Sequence, residues 1–173
     1  ALNKGIEVHV CTDIGRIENV RISPEYWANS GLPGAPSLED VTAYTRANGT
    51  GYQMHRSDWE YVSYLYISGY KTGVWIGREP GFAAPNAQLY EVHVGGCGNG
   101  LYVEDVNPYG ILISNSSFGA GQDGNAVYFY KDFSTSVQFN GVDFKGSVVG
   151  DGDGGVVSFE SCTFSEYNDY ALR

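Results

Sequence analysis

The chain has 173 residues, with 20 acidic against 10 basic side chains and a net charge of −10. Such acidity repels a phosphate backbone, so nucleic acid is excluded as a partner, and no stretch nears the roughly 18 apolar residues of a membrane span. Twenty-four glycines, six prolines and a 42% hydrophobic content suit one domain of short strands and tight corners.

From the N-terminus, Ala1-Leu2-Asn3-Lys4 does not read as a secretory leader. A Gly-apolar-x-apolar corner (Gly5, Ile6, Val8) then precedes an eight-residue phrase, apolar-x-apolar-x-x-apolar-x-apolar, at Gly15/Ile17/Val20/Ile22. Residues 24–48 break the pattern with Pro24, Trp27, Pro33, Pro36 and a helical candidate from Ser37 to Tyr44. Ser37 is placed to cap it, with Asp40 three residues on as in a capping box. Insertions in repeat proteins gather on the binding face, so this segment is expected to wall a groove.

The corner returns at Gly51/Tyr52/Met54, and the phrase recurs at Glu60/Val62/Leu65/Ile67, Ala87/Leu89/Val92/Val94, Ile111/Ile113/Ser116/Phe118, Val137/Phe139/Val142/Phe144 and Val157/Phe159/Cys162/Phe164. The six copies start 45, 27, 24, 26 and 20 residues apart. Gly73, Gly100, Gly124 and Gly150 each stand six residues after a copy, where a positive φ or tight bend is expected.

Two period-2 alternations separated by one extra residue predict two short strands meeting at a bend. The spacings are too short for a propeller blade, and no helical periodicity supports an α-solenoid. The expected fold is all-β: a right-handed parallel β-helix (solenoid) of about six to seven coils, with one inserted loop carrying a short helix. Residues 1–173 would form a single partial domain with the insertion at 24–48. Both ends would leave strand edges bare, so the chain is expected to be a segment of a longer protein, its ends capped by another segment or chain.

Stacked copies turn the linear sequence into a surface. One outward row reads Arg21, Tyr66, His93, Ser117, Asp143, Thr163, and another Glu7, Gln53, Trp75, Tyr102, Tyr128. Exposed aromatic rings at repeat intervals suit stacking against pyranose rings, although the same residues also stabilise a sheet by packing on one another. The expected partner is a polysaccharide, with Trp75, Tyr102, Tyr66, His93, Arg21 and Trp59 as substrate-binding residues. Glycosidases need paired carboxylates, for which Asp58, Glu79, Glu60 and Asp105 are the candidates, Asp58 and Glu79 bracketing the Trp75 strand. His93 beside Tyr66 and Arg21 could instead supply the base and charge clamp of a lyase.

Glu60 occupies an inward position of the phrase, so it either titrates abnormally or marks a register slip that brings Tyr61 toward the core; the slip is the expectation. Cys11, Cys97 and Cys162 show no CxxC spacing, and Cys162 reads as a core thiol. Asp151-Gly152-Asp153-Gly154-Gly155 reads as a solvated turn, since a Ca²⁺ site needs more oxygens than it offers. No cofactor is expected, with Ca²⁺ gathered by the Asp151 and Asp153 carboxylates as the alternative.

The repeat phrase, the glycine corner and the segments Gly15-Arg16-Ile17-Glu18-Asn19-Val20-Arg21-Ile22-Ser23-Pro24 and Ser68-Gly69-Tyr70-Lys71-Thr72-Gly73-Val74-Trp75-Ile76-Gly77 resemble the pectate-lyase-like superfamily, nearest to glycoside hydrolase family 55. That family's opening Gly-Asp-Gly-x-x-Asp-Asp-Thr stretch and capping helix are not in this sequence, and its catalytic carboxylate lies between two β-helices. The resemblance implies a secreted, carbohydrate-active protein: a polysaccharide hydrolase of glucan type or part of one, with a polysaccharide lyase, or a structural or adhesive β-helix such as a tail fibre, as alternatives.

Overall fold

The computed structural model describes residues 3–152 and 154–173; Ala1 and Leu2, and Asp153 of the proposed solvated turn, lie outside the described residues. Strands β1 (Lys4–Val8) and β2 (Gly15–Ile22) lead into helices α1 (Glu25–Ala28) and α2 (Leu38–Asn48). There follow β3 (Thr50–Met54), β4 (Glu60–Ser68), β5 (Thr72–Ile76), β6 (Ala87–Cys97), β7 (Asn99–Val103), β8 (Ile111–Ser114), β9 (Ser117–Ala120) and β10 (Val127–Phe129). The chain continues through β11 (Ser136–Asn140), β12 (Asp143–Lys145), β13 (Val148–Gly150), β14 (Val156–Glu160) and β15 (Thr163–Ser165).

All described strand pairs are parallel. β1, β3, β5, β7, β10 and β13 form a six-stranded sheet in that order, and the other nine strands form the second sheet. The repeat register is the one the phrase implies: Glu60 pairs with Gly15 and Ala87, Ile111 with Ala87 and Val137, and Val137 with Val157.

The architecture corrects the expected fold. The two parallel sheets curl as a half-barrel and do not make a right-handed parallel β-helix, and with 48% strand and 9% helix the chain fits an α/β-type arrangement. The physical reason is that a period of about 25 residues dictates which strands are hydrogen-bonded neighbours and which side chains face inward, whereas curvature and closure depend on how the connections pack. The longest connection is the insertion with α1 and α2. Ser37 accepts a hydrogen bond from the Asp40 N–H at 3.0 Å, as expected of a cap, but α2 runs on to Asn48, beyond the expected end at Tyr44. Its Val41 and Thr45 are buried, and the Thr45 hydroxyl donates to the Gly69 carbonyl at 2.6 Å.

Each bend in the second sheet has one cause. The extra residue of the phrase has positive φ in every copy: Asn19, Tyr64, Glu91, Asn115, Gly141 and Ser161, with φ between 47° and 63°. A left-handed residue reverses the pleat for one step, so both halves of the phrase point their apolar side chains into the same core. Tyr64 and Glu91 take this conformation without the help that Asn or Gly derives from side-chain chemistry, so the surrounding ladder holds them there.

The corner glycines do something different from the expectation. Gly5, Gly51, Gly73 and Gly100 share a register row that continues as Ala126 and Ser147, so Gly124 and Gly150 fall outside it. None of the four has positive φ. A Cβ on Gly73 would instead meet the Gly100 carbonyl oxygen at 2.7 Å and run into Val94, and Gly5, Gly51 and Gly100 are closed in by Ile22, Ile67 and Phe118 in the same way. Glycine is needed there because the last apolar residue of each phrase fills the space where a side chain would go.

The core lies between the sheets. At the C-terminal end it is a phenylalanine stack: Phe139 lies over Phe159 at 5.4 Å and Phe144 over Phe164 at 5.0 Å, with Phe139 and Phe144 edge to face at 5.1 Å. Phe144 is fully buried, so Phe144→Ala should cost about 3–5 kcal/mol, read as a lowered urea midpoint. Gly73→Ala should cost roughly 1–3 kcal/mol by overpacking, whereas Gly95→Ala, where a Cβ meets nothing within 4 Å, should stay within about 0.5 kcal/mol. Equal losses at the two glycines would refute the close-approach explanation.

Candidate functional site

The outward row of the nine-stranded sheet assembles in register: Arg21 pairs with Tyr66, Tyr66 with His93, His93 with Ser117, Ser117 with Asp143, and Asp143 with Thr163. It floors a groove of about 460 Å³, lined by Arg21, Tyr66, His93, Ser117 and Lys145, with Glu25 and Tyr26 from the insertion as one wall. A second cavity of about 770 Å³ shares Ser23, Glu25, Ser68 and Gly96 with it and runs along α2 past Arg46. The two form one elongated depression beside residues 24–48, where the sequence places the groove wall.

The floor is strongly cross-linked. The Arg21 guanidinium lies 4.9 Å over the Tyr66 ring, and Tyr66 stacks on His93 at 5.1 Å with a 25° interplanar angle. Because Arg21 and His93 come from the repeats on either side, both faces of Tyr66 are covered, and only its edge and hydroxyl reach the groove. Tyr26, 52% exposed, carries no stacked ring among the described residues. Sequence reasoning passed over Tyr26; the signal available was its place in the insertion.

His93 is held at both ring nitrogens. Its Nε2 lies 2.9 Å from Glu91 Oε2 and its Nδ1 2.8 Å from Ser117 Oγ. A carboxylate only accepts, so Nε2 carries a proton, and in the neutral imidazole Nδ1 then accepts from the Ser117 hydroxyl.

The six-stranded sheet carries the other predicted row. Glu7, Gln53, Trp75, Tyr102 and Tyr128 are register neighbours. Trp75 meets Tyr102 edge to face at 5.9 Å, and Tyr102 stacks on Tyr128 at 5.3 Å. These rings cover one another and leave edges outward. The Tyr128 hydroxyl donates to Asp151 at 2.5 Å, and this bond pushes its pKa up to about 12.

At the Trp75 end of this row stands a histidine pair that sequence reasoning missed. His9 Nε2 lies 2.8 Å from Glu79 Oε2, and His55 lies 3.7 Å from both Glu79 and Glu7. His55 and Gln53 are buried side by side, their nitrogens 2.5 Å apart, while Gln53 Oε1 and Trp75 Nε1 have no hydrogen-bond partner among the described residues. His9 and His55 sit outside the repeat phrase, so no periodic signal marked them.

The four candidate acids are dispersed, and none lines the groove. Asp58 is clamped by Arg56 through both carboxylate oxygens, and this hydrogen bonding holds its carboxyl below the ordinary range. Asp105 pairs with Arg78 at 3.1 Å, and the Arg78 carbonyl faces His55 Nδ1, also at 3.1 Å. Glu79 belongs to the histidine pair. Trp59 packs with Tyr109 at 5.9 Å over a separate small cavity. Among the described residues no group of three or more His, Cys, Asp or Glu side chains is arranged to hold a metal ion. Cys97 is buried, which pushes its thiol up to about 11, and Cys162, expected in the core, is half-buried against it.

Glu60 corrects the expected register slip. It stays in register opposite Gly15 and Ala87 with 2% exposure, accepting a hydrogen bond from Ser57 at 2.9 Å. A Cβ on Gly15 would collide with its carboxyl, so glycine in the neighbouring repeat is what admits the acid. Desolvation raises its pKa against the opposing effect of the Ser57 hydroxyl.

Comparisons with family models, curated proteins and solved structures give no match, so the likeness to the pectate-lyase-like superfamily and family 55 rests on the residues that suggested it.

A raised pKa means that the fold favours protonated Glu60. This contribution is complete below about pH 4.3, the unfolded value, and is lost as pH rises through the folded value. Glu60→Gln should therefore match the parent near pH 4 and exceed its stability near pH 7.5. Urea midpoints at the two pH values check this, and a variant weaker near pH 7.5 would show that the ionised form is satisfied in place.

Proposed function

We propose that this protein binds a neutral polysaccharide along the groove beside the insertion. The observation that carries the reading is the wall-and-floor geometry. A long depression has an unstacked, exposed Tyr26 on its wall and a row of hydrogen-bonding groups, the Tyr66 edge, Arg21, Ser117 and Lys145, on its floor. A sugar chain offers apolar ring faces and a hydroxyl periphery, which such a surface matches.

Charge favours a neutral glycan over a polyuronate. Arg21 and Lys145 in the groove are balanced by Glu25 and Glu166, and the chain as a whole carries −10, so a polyanion gains no net attraction. This weakens the lyase alternative, which needs a uronate carboxylate to neutralise. Glycosidic hydrolysis by Asp58, Glu60, Glu79 or Asp105 lacks support from the groove, because two carboxyl groups must flank the scissile bond within about 5–9.5 Å of each other and none of the four lines the floor.

Affinity electrophoresis against immobilised neutral glucans, xylans and mannans should retard the protein more than polyuronates do. Tyr26→Ala should weaken binding about tenfold, roughly 1.4 kcal/mol. Amide variants of the four acids should bind as the parent does. Preference for polyuronates, or a Tyr26→Ala variant that binds unchanged, would overturn the reading.

A further inference from the structure

We propose that Ser117, His93 and Glu91 form a nucleophile, base and carboxylate relay that hydrolyses acyl esters, and that its substrate is an ester-substituted neutral glycan lying in the groove; the glycan part rests on the reading above. The geometry is that of an activated hydroxyl. Ser117 Oγ is 2.8 Å from Nδ1 of His93, and the opposite ring nitrogen is 2.9 Å from Glu91. The left-handed backbone at Glu91, φ 53°, belongs to the bend, and Val92 between Glu91 and His93 is fully buried, so both flanking side chains project to the outer face. Tyr66 packed on one face of the imidazole fixes the plane of the ring.

A place for the developing oxyanion lies beside the serine. The ladder between β6 and β9 runs His93 to Ser117 and Val94 to Phe118, then resumes only at Cys97 with Ala120, so Gly95 and Gly96 together oppose Gly119. A bulge leaves its extra residue outside the ladder, which frees backbone groups for a ligand. Gly95 and Gly96 line the same groove as Ser117, and a Cβ at Gly95 would meet only open space, so a carbonyl oxygen can approach the backbone closely. Arg46 from the last turn of α2 reaches to 3.6 Å from the Cβ position of Gly96 and makes no ion pair among the described residues, which adds positive charge on the α2 side of Gly96.

The reaction balances with ester and water alone. The Ser117 oxygen bonds to the acyl carbon while its proton passes to His93 Nδ1. The bond to the sugar oxygen breaks as that oxygen takes the proton, leaving an acyl-serine. Water then attacks, gives a proton to His93, and the serine leaves with that proton as the carboxylic acid is released.

The test separates this proposal from the groove reading by using probes that need no glycan. The purified full chain is treated with a fluorophosphonate and, separately, assayed on p-nitrophenyl acetate. The label should map to Ser117 by peptide mass spectrometry, and Ser117→Ala should lose label and at least about 100-fold of the ester hydrolysis. Glu91→Gln, a positioning change, should slow labelling about tenfold or more without altering the urea midpoint or glycan retardation. Gly95→Ala should slow hydrolysis while leaving stability unchanged. Absence of label at Ser117, or ester hydrolysis unchanged in Ser117→Ala, overturns the relay even if glycans bind. Labelling at Ser117 in a protein that binds no glycan upholds the relay and overturns only the groove reading.

Discussion

The structure depends on repeat-to-repeat registration of parallel strands, enforced by two backbone devices that recur at fixed places in the phrase. One is the left-handed residue at each bend, from Asn19 to Ser161, which keeps both halves of the phrase facing the same core. The other is the close approach at Gly5, Gly51, Gly73 and Gly100, where the closing apolar side chain of one sheet occupies the room that a Cβ on the other would need. A one-residue slip would turn every inward side chain outward. Where the glycine is present, registration is therefore fixed at both ends of the repeat.

From registration follows the character of the surface. Parallel in-register strands put like positions about 4.8 Å apart, the distance at which aromatic rings stack on one another. Tyr102 on Tyr128, and Arg21 on Tyr66 on His93, are the result. The same spacing that makes an aromatic row visible in the sequence closes its ring faces to a ligand. Open faces have to come from elements that interrupt the repeat, as Tyr26 does. The insertion thus supplies what the periodic surface cannot: an unstacked ring and a raised wall.

Registration also determines where charge is held. Glu60 can remain inside only because its neighbour in the preceding repeat is Gly15, and the core answers by favouring its protonated form. Glu91, His93 and Ser117 occupy a position where the ladder places polar side chains from adjacent repeats within hydrogen-bond reach, next to a bulge that opens the backbone. The histidine pair His9 and His55 on the other sheet is brought together by β1 and β3 in the same manner, around Glu79.

Much of this was legible from residue order. Alternating apolar positions with an extra residue between them define which side chains are buried, because a strand has a period of two, and the recurrence of the phrase defines which strands are neighbours, so the rows from Arg21 to Thr163 and from Glu7 to Tyr128 could be written down in advance. The cap at Ser37 was equally local, resting on one side chain and the amide three residues away. What only the tertiary structure decided was everything set by curvature and by contacts outside the repeat: that the two sheets curl as a half-barrel and do not close as a β-helix, that Glu60 stays inward, that Asp58, Asp105 and Glu79 go to Arg56, Arg78 and the histidine pair, and that Tyr26 walls the groove. Hydrogen-bond registration is a nearest-neighbour property carried by each strand, whereas closure and side-chain pairing between rows depend on how non-repeating connections pack, and no periodic signal encodes that.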